Sequence, residues 1–280
     1  MAINTRARFR ITVLTGGILC LIGGSLAAWQ VPAGIVGAPG ASGGSGARGR
    51  GARQPDPIDF SDHAGWSELF DGKTLDGWDG NPDVWRVENG TLIGEYTTPT
   101  GTRNGETFII WKGGEPENFE LKLEIKLEGA TADSGIQYRS YPTPPQSPGP
   151  NSKWSLSGYQ FDFNFPNNYT GQVVDGGRGN RGIVAFRGQM VRTEPGRNPR
   201  LLSTLGTLEE LGGYFKINDW NQVHLIARGN TLIHLVNGHV MAILIDDDPT
   251  KARSKGLIGL QCSGNGALKI SFRNIWLRNL

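Results

Sequence analysis

The chain has 280 residues and a formal net charge of +2, so it carries no strong field that would indicate binding to nucleic acid or to an acidic partner. It contains 42 glycines, about twice the usual share, and only two cysteines. Two cysteines are too few for a disulfide framework.

The N-terminus has the pattern of an export signal. Three arginines, Arg6, Arg8 and Arg10, precede an uncharged run over residues 11–28 that ends near the small-x-small sequence of residues 25–27. This pattern favours a signal peptide over residues 1–28, with an uncleaved membrane anchor as the alternative. We therefore expect an exported protein, either periplasmic or extracellular. If the leader is not cleaved, it would tether the protein to the membrane.

A flexible linker follows the leader. Residues 29–62 are rich in Gly, Pro and Arg, and the stretch over residues 32–57 has almost no large apolar side chains, so it cannot bury a core. The sequence thus predicts a disordered linker there, which would allow envelope association through the N-terminus, and a globular domain over residues 63–280. Once the leader is removed, Cys262 is the only cysteine, and we expect it to be a small buried residue.

Within the globular part, strand signals recur between turn residues. Asn-Gly and Gly-Asn pairs between apolar runs predict two-residue hairpins. The expected strands cover residues 84–88, 91–96, 108–111, 119–128, 134–139, 159–165, 182–187, 189–191, 221–227, 231–236, 239–245, 256–261 and 268–277. Residues 203–213 carry the one modest helical signal, and the Pro-rich residues 141–154 are a loop.

Many short strands and almost no helix predict an all-β fold, a jelly-roll sandwich of two antiparallel sheets. The strand over residues 119–128 has one apolar face and one face of alternating Glu and Lys, which we interpret as a solvated charge ladder without function. The stretch SGYQFDFNF alternates differently. Its aromatic face is expected to be core, and its other face carries Gln160, Asp162 and Asn164, with no Lys, as in the lining of a concave groove.

Several segments resemble one bacterial family. They are GWSELFDGKTLDGW, ENFELKLEIKL, DSGIQYR, GYQFDF, DWNQVHLIARGNTLIHLVNGH and the ending GLIGLQ…ISFRNIWLRNL. Together they resemble the domain of unknown function 1080 family, also called the 3-keto-disaccharide hydrolase domain. The resemblance implies a concanavalin-A-like jelly roll that is usually exported and acts on glycosides already oxidised to a ketone at sugar C3.

The chain departs from the family pattern at three places. Asp133 stands where Asn is usual, Gln160 and Asp162 stand where members often carry Glu and Gln, and the turn after Gln261 lacks the acidic residue or His often present there. These departures bear on the roles of individual residues and leave the expected fold unchanged.

The chemistry of a 3-keto-glycoside defines what a catalytic site would need. A ketone at C3 makes the C2 proton acidic, so the C1–O bond can break by elimination, and water can then add to the unsaturated sugar. Such a site needs a base for C2, a donor to the C3 carbonyl and an acid for the leaving oxygen. A conventional glycosidase instead needs two carboxylates about 5–5.5 Å or about 6.5–9.5 Å apart.

Three residues are candidates for catalysis. Asp162 is the first candidate base, and the alternative is that it only hydrogen-bonds sugar hydroxyls or a neighbouring strand. His234 is the second candidate, although its position between apolar neighbours favours a packed histidine with satisfied hydrogen bonds. Arg139 is the candidate donor to the carbonyl, and the alternative is a surface arginine paired with a carboxylate.

Further residues are candidates for contacts with the sugar. Gln160 and Gln137 lie on the expected groove face, Glu95 would supply an acid, and Lys112 is the reserve for polarising the carbonyl. Aromatic rings stack on sugar rings, and the candidate platforms are Trp111, Trp154 and Tyr138.

No cofactor is expected. The run Asp246-Asp247-Asp248 would suit Ca²⁺ by residue type, but three successive residues do not converge on one ion, so a solvated turn is favoured. No His/Cys spacing indicates zinc. The expected partner is an oxidised, 3-keto sugar. The leading function is cleavage of 3-keto-glycosides by elimination and hydration, and the alternatives are a non-catalytic carbohydrate-binding module and a structural surface domain.

Overall fold

The computed structural model describes residues 58–143, 151–177 and 181–280. The expected leader and most of the expected linker lie outside the described residues. No helix within the described ranges is long and apolar enough to cross a membrane.

The described residues form 17 strands and very little helix. The strands are β1 (Ser67–Glu68), β2 (Trp78–Asp79), β3 (Trp85–Glu88), β4 (Thr91–Tyr96), β5 (Thr107–Trp111), β6 (Phe119–Glu128), β7 (Asp133–Pro142), β8 (Leu156–Asn164), β9 (Val173–Gly176), β10 (Gly182–Ala185), β11 (Gln189–Thr193), β12 (Arg200–Thr204), β13 (Asn221–Arg228), β14 (Thr231–Val236), β15 (His239–Asp246), β16 (Leu257–Cys262) and β17 (Leu268–Asn279). A 3-10 turn (Ser152–Trp154) and one short helix, α1 (Leu208–Gly212), complete the set.

Two sheets pack face to face, which confirms the all-β sandwich. The ten-stranded sheet has the order β12-β11-β15-β14-β13-β6-β17-β4-β3, with β1 added beside β17. The seven-stranded sheet has the order β10-β9-β8-β7-β16-β5-β2. One detail of the prediction is wrong, because β11 runs parallel to β15, whereas two wholly antiparallel sheets were expected. The chain crosses from the seven-stranded sheet at β10 to the ten-stranded sheet at β11.

The core lies between the sheets and follows the alternation of the strands. On β6, the side chains of Phe119, Leu121, Leu123, Ile125 and Leu127 are all buried. Burial of each such side chain stabilises the fold by roughly 1.5–3 kcal/mol. The inward rings of β8 are buried as expected, with Tyr159, Phe161 and Phe163 at 1% exposure or less.

The outer face of β6 is less solvated than the sequence suggested. Lys122 is only 2% exposed, because its ammonium lies 4.3 Å from the centre of the Trp66 ring and donates to the carbonyl of Asp62 at 3.1 Å. The described end of the expected linker, including Phe60, therefore contacts this face. The alternating Glu and Lys face of β6 is therefore partly covered by the segment before β1, and it is not the fully solvated surface that the sequence predicted.

The modest helical signal is realised as a single short helix. Thr207 caps α1 by accepting a hydrogen bond from the N–H of Glu210 at 3.1 Å, and Ser203 and Thr204 belong to β12 instead.

The register of β7 against β8 arranges the polar outer face of the seven-stranded sheet. Asp133 lies opposite Asn164, Gly135 opposite Asp162, and Gln137 opposite Gln160. Because alternate residues share a face, these pairs stand together on the side that faces away from the core.

Candidate functional site

A chain of amide side chains crosses the centre of this outer face. Gln137 donates through Nε2 to Oε1 of Gln160 at 3.0 Å, and Nε2 of Gln160 donates to Oδ1 of Asp162 and to Oε1 of Gln261, both at 3.0 Å. The chain therefore links three neighbouring strands, β8, β7 and β16. Gln160 and Asp162 therefore share one polar face, and their side chains are hydrogen-bonded to each other.

Asp162 lies at the floor of the site with 8% of its surface exposed. Its two carboxylate oxygens each accept an amide hydrogen bond, from Gln160 and from Nε2 of Gln172 at 2.8 Å. Burial, reinforced by the charges of Asp133 and Glu106, raises the pKa of Asp162 to about 7, against the lowering effect of the two amides. Asp162 therefore changes its charge near neutral pH.

Asp133 is half-buried at the start of β7. The phenol of Tyr169 donates a hydrogen bond to its Oδ2 at 3.2 Å. Burial raises the pKa of Asp133 to about 6, and burial together with the two nearby aspartates raises the pKa of the Tyr169 phenol, which stays protonated.

Glu106 lies just before β5, and the residue as a whole is exposed. Even so, the protein around its carboxyl group displaces enough water to raise the pKa of Glu106, and the charge of Asp133 adds to this effect. Nε2 of Gln261 hydrogen-bonds the Glu106 carboxylate.

Three carboxyl groups thus share one face, and among the described residues no Lys, Arg or His forms an ion pair with them. Like charges that lie close together disfavour simultaneous ionisation, so the cluster holds a proton at a pH where isolated carboxyls would not. Groups that titrate near neutral pH are suited to general acid and base catalysis. No group of three or more His, Cys, Asp or Glu side chains in the described ranges is arranged to hold a metal ion.

The expected position of Arg139 is wrong. Its backbone has a positive φ of 46°, and the β7–β8 register shifts at this point. The bulge turns the side chain away from the groove, and the guanidinium donates to the carbonyl oxygens of Glu117, Gly229 and Arg253 at 2.7–3.1 Å. Arg139 is 2% exposed and joins the two sheets.

His234 is a packed core histidine, the alternative that the sequence favoured. It is fully buried, and its ring stacks on Phe161 at 3.9 Å between centroids. One ring nitrogen lies 2.9 Å from the hydroxyl of Tyr138 and the other 3.2 Å from the carbonyl of Gly171. Burial lowers the pKa of His234 to about 3, so the ring is neutral and is separated from the groove by the sheet.

The aromatic platforms expected from the sequence do not present open ring faces in the groove. Tyr138 is fully buried beside His234. Trp154 is half-buried, packs on Phe108 and its neighbours, and donates from Nε1 to Asp79 at 2.7 Å, with the Lys153 ammonium 5.0 Å from its ring. Trp111 is half-buried and packs against the main core.

Glu95 and Lys112 lie away from the carboxyl cluster. Glu95 is on β4 in the ten-stranded sheet and pairs with Arg86 at 2.6 Å. Lys112 follows β5 as an exposed residue, and its backbone N–H donates to the carbonyl of Gly77 at 2.8 Å.

The Asp246–Asp248 run is not a solvated turn. Asp246 is 3% exposed and accepts hydrogen bonds from Arg181, Thr193 and Tyr159, while Asp248 caps the turn at Thr250. The arginine and the hydroxyls lower the pKa of Asp246 against the effect of burial. Cys262 is buried, as expected, and burial raises the pKa of its thiol.

The sequence reasoning missed five residues of the site. Asp133 was noted only as a departure from the family pattern. Glu106 and Gln261 follow the strand parity of their neighbours, and extending the predicted strand 108–111 by two residues toward the N-terminus would have found Glu106. Gln172 and Tyr169 lie in the connection between β8 and β9. This segment has no strand periodicity from which the direction of a side chain could be predicted. The buried Oε1 of Gln172 has no hydrogen-bond partner among the described residues.

Comparison of the chain with known families gives one match. The model of the 3-keto-alpha-glucoside-1,2-lyase-like domain matches residues 65–278. No curated protein matches the chain. Solved structures to which the chain is similar include a carbohydrate-binding module and a protein described as having a galectin-like fold, each with a TM-score of 0.46.

Two of these structures illustrate the range of similarity. A protein from Parabacteroides distasonis ATCC 8503, provisionally classed as a glycosyl hydrolase, is 20% identical, with 77% of this chain and 99% of that chain covered and a TM-score of 0.47. The carbohydrate-binding module CBM66 from Bacillus subtilis is 13% identical, with 72% and 96% covered and a TM-score of 0.46. The family model spans nearly the whole described part of the chain, and the chain belongs to the 3-keto-alpha-glucoside-1,2-lyase-like domain family.

Proposed function

We propose that the protein is an exported enzyme that cleaves 3-keto-glycosides by elimination. The observation that carries the proposal is the cluster of Asp162, Asp133 and Glu106, three carboxyl groups with raised pKa values on one face of a family member. In the reaction, the C2–H and C1–O bonds break, a C1=C2 double bond forms, and the aglycone leaves as an alcohol. Addition of water to that double bond would complete a net hydrolysis.

Asp162 is the base in this proposal. Its carboxylate is held by Gln160 and Gln172, so its position is defined, and its pKa of about 7 makes it a stronger base than an exposed aspartate. A positioned base contributes about 10²–10⁴-fold to the rate.

Glu106 is the acid for the leaving oxygen. The residue is exposed, so an aglycone that it protonates would leave toward solvent, and its raised pKa favours the protonated form. Glu106 replaces Glu95 in this role, because Glu95 is in the other sheet.

The test is to incubate the purified domain with a 3-keto-glucoside and with its unoxidised parent. We expect aglycone release from the keto form alone, and Asp162→Asn should reduce it by about 10²–10⁴-fold. Asp83→Asn, which changes an exposed carboxyl outside the site, is the matched control. Equal release from both sugars would indicate a conventional glycosidase and would contradict the proposal.

A non-catalytic carbohydrate-binding module is the second candidate. The row of neutral amides, Gln137, Gln160 and Gln261, favours it, because amides suit hydrogen bonding to sugar hydroxyls without chemistry. Binding of the keto-sugar without release of the aglycone would support this function instead.

Export is supported by the sequence of the leader, three arginines followed by an uncharged run over residues 11–28. Expression of the full chain followed by cell fractionation and N-terminal sequencing would test it. Recovery of the protein in the cytoplasm with its original N-terminus would contradict export, and recovery in the membrane fraction would indicate an uncleaved tether.

A further inference from the structure

The two amide side chains that bind Asp162 differ in how firmly they are held. Gln160 is fixed at both ends, because its Oε1 accepts from Nε2 of Gln137 and its Nε2 donates to Oε1 of Gln261 as well as to Asp162, all at 3.0 Å. A half-turn of this amide would place Nε2 against Nε2 of Gln137 and Oε1 against Oε1 of Gln261. Gln160 therefore keeps one orientation whatever the charge of Asp162.

Gln172 is held on one side only. Its Nε2 donates to Oδ2 of Asp162 at 2.8 Å, whereas its buried Oε1 has no hydrogen-bond partner among the described residues. The main chain is fixed beside Asp162, because the Gln172 carbonyl accepts from the N–H of Asp162 at 3.3 Å and the Gln172 N–H donates to the carbonyl of Tyr169 at 3.2 Å. The last side-chain torsion of a glutamine is broad and roughly two-fold. A half-turn of the Gln172 amide thus breaks no hydrogen bond of Oε1.

Asp162 is the aspartate of the cluster that holds a proton near neutral pH. The acids that act on it are Asp133, on β7, and Glu106, before β5, and both raise its pKa. Asp133 accepts from the phenol of Tyr169 at 3.2 Å and from the N–H of Ser134, and its pKa of about 6 lies below the value of about 7 for Asp162. The proton of this pair therefore remains on Asp162 after Asp133 has ionised.

A protonated Asp162 needs a hydrogen-bond acceptor. In the structure both of its oxygens face amide N–H groups, which suit a carboxylate and cannot accept from a carboxylic acid. Gln160 cannot supply an acceptor without losing its bonds to Gln137 and Gln261. Gln172 can supply one, since a half-turn brings its unpartnered Oε1 to the place where Nε2 now donates.

We propose that Gln172 is the positioning residue for the proton of Asp162: its amide donates to the carboxylate and, after a half-turn, accepts from the carboxylic acid. This inference rests on the proposed elimination, in which Asp162 removes the C2 proton. It also explains why a buried acceptor in the site lacks a partner, because Oε1 of Gln172 acquires one when Asp162 is protonated.

The proton balance of the elimination is unchanged by this role. The C2–H bond breaks, its electron pair stays on the sugar, and the proton forms the O–H bond of Asp162. Gln172 gains and loses no proton, and it only exchanges a donated hydrogen bond for an accepted one. An O–H of Asp162 that is bonded to Gln172 is held by the protein and is not aimed back at C2, so the abstracted proton is kept from returning to the sugar.

Neutron diffraction from deuterated crystals at pH 8.5 and pH 5.5 tests the proposal directly, because it locates the exchangeable protons. At pH 8.5 we expect the deuterated amide nitrogen of Gln172 to face an ionised Asp162. At pH 5.5 we expect a deuteron on Oδ2 of Asp162 and Oε1 of Gln172 facing it, with Gln160 in the same orientation at both pH values. The same orientation of Gln172 at both pH values would overturn the proposal.

The kinetic test is Gln172→Met, which keeps the length of the side chain and removes both its donor and its acceptor. We expect kcat on a 3-keto-glucoside to fall by about 10–100-fold with little change in KM, since Gln172 is only 3% exposed and acts through Asp162. A side chain that only supported the fold would change the stability of the variant and leave kcat of the folded protein unchanged. Gln222→Met, at an exposed position on β13 in the other sheet, is the matched control.

The diffraction measurement does not depend on activity, so the two proposals can fail separately. A half-turn of Gln172 in a wild type that releases no aglycone would overturn the elimination and support the coupling of Gln172 to the Asp162 proton. Aglycone release with Gln172 in one orientation at both pH values, or with wild-type kcat in Gln172→Met, would overturn the positioning role and leave the elimination standing. Neither a half-turn nor release would overturn both. If Gln172→Met does not fold, the comparison of the wild type at the two pH values decides.

Discussion

A Cβ atom on Gly135 would lie 2.2 Å from Nε2 of Gln160, the amide that donates to Asp162. Gly135 faces Asp162 directly across the β7–β8 ladder, so the missing side chain at this position makes the room in which Gln160 crosses between strands. The hydrogen bonds of the polar face thus depend on Gly135, because any larger residue at this position would occupy the space that the Gln160 side chain fills.

Gly135→Ala should therefore displace Gln160 and weaken its hydrogen bonds to Asp162 and Gln261. We expect a loss of about 1–3 kcal/mol in the free energy of unfolding, as for other overpacked sites, and a loss of at least about tenfold in kcat/KM. Gly176→Ala is the control on the same face, since its Cβ would lie 3.4 Å from Gln137, an ordinary contact. Equal effects of the two substitutions would contradict this account.

Asp162→Asn should change the pH dependence of stability as well as activity. The folded-state pKa of about 7 lies above the usual value of 3.8, so the folded state binds this proton more tightly than the unfolded state. The contribution of Asp162 to stability is thus present at low pH and is lost as the pH rises toward 7, by about 2 kcal/mol between pH 5 and pH 7. Denaturant unfolding at both pH values should show a correspondingly smaller loss in the variant. An identical loss in both proteins would argue against a desolvated Asp162.

His234 should produce the opposite dependence. Its pKa is lowered from 6.5 to about 3, so the unfolded state binds the proton more tightly, and stability falls as the pH drops below 6.5. Between pH 6.5 and pH 5 this loss is about 2 kcal/mol. His234→Phe should abolish it, whereas Tyr138→Phe, which keeps the imidazole, should retain it. Thermal unfolding across this range is the measurement, and an unchanged acid loss in His234→Phe would show that another group is responsible.

Arg139→Lys should lower stability far more than activity. The guanidinium bonds three backbone carbonyls from separate segments, and an ammonium cannot reproduce that geometry. We expect a loss of about 2–4 kcal/mol in the free energy of unfolding, with kcat/KM within a few fold of the wild type. The exposed Arg86, changed to Lys, should lose less than about 1 kcal/mol. If Arg139→Lys kept its stability but had a much lower kcat, this account would be contradicted, and Arg139 would be expected to contact the substrate.

Local alternation was sufficient to predict most of the fold. The pattern of β6 and the aromatic parity of β8 identify strands and their inner faces, because side chains on a strand alternate and the core takes one set. The same rule placed Gln160 and Asp162 on the polar face. It failed at Arg139, where a bulge with positive φ reverses the parity that a regular strand would keep.

Periodicity in the sequence could not predict that β11 pairs with β15 in parallel. It also could not predict the direction in which the Tyr169 side chain points. Both depend on connections between strands, whose paths are set by contacts far away in the chain.

The amino-acid sequence by itself determined that this is an all-β sandwich and which face of β8 is polar, because alternation and turn chemistry act over neighbouring residues. Only the tertiary structure decided which acids share a site. Asp162, Asp133 and Glu106 come from three separate segments, and the raised pKa values that make them chemically useful arise from burial and mutual charge, which exist only after the sheet has assembled.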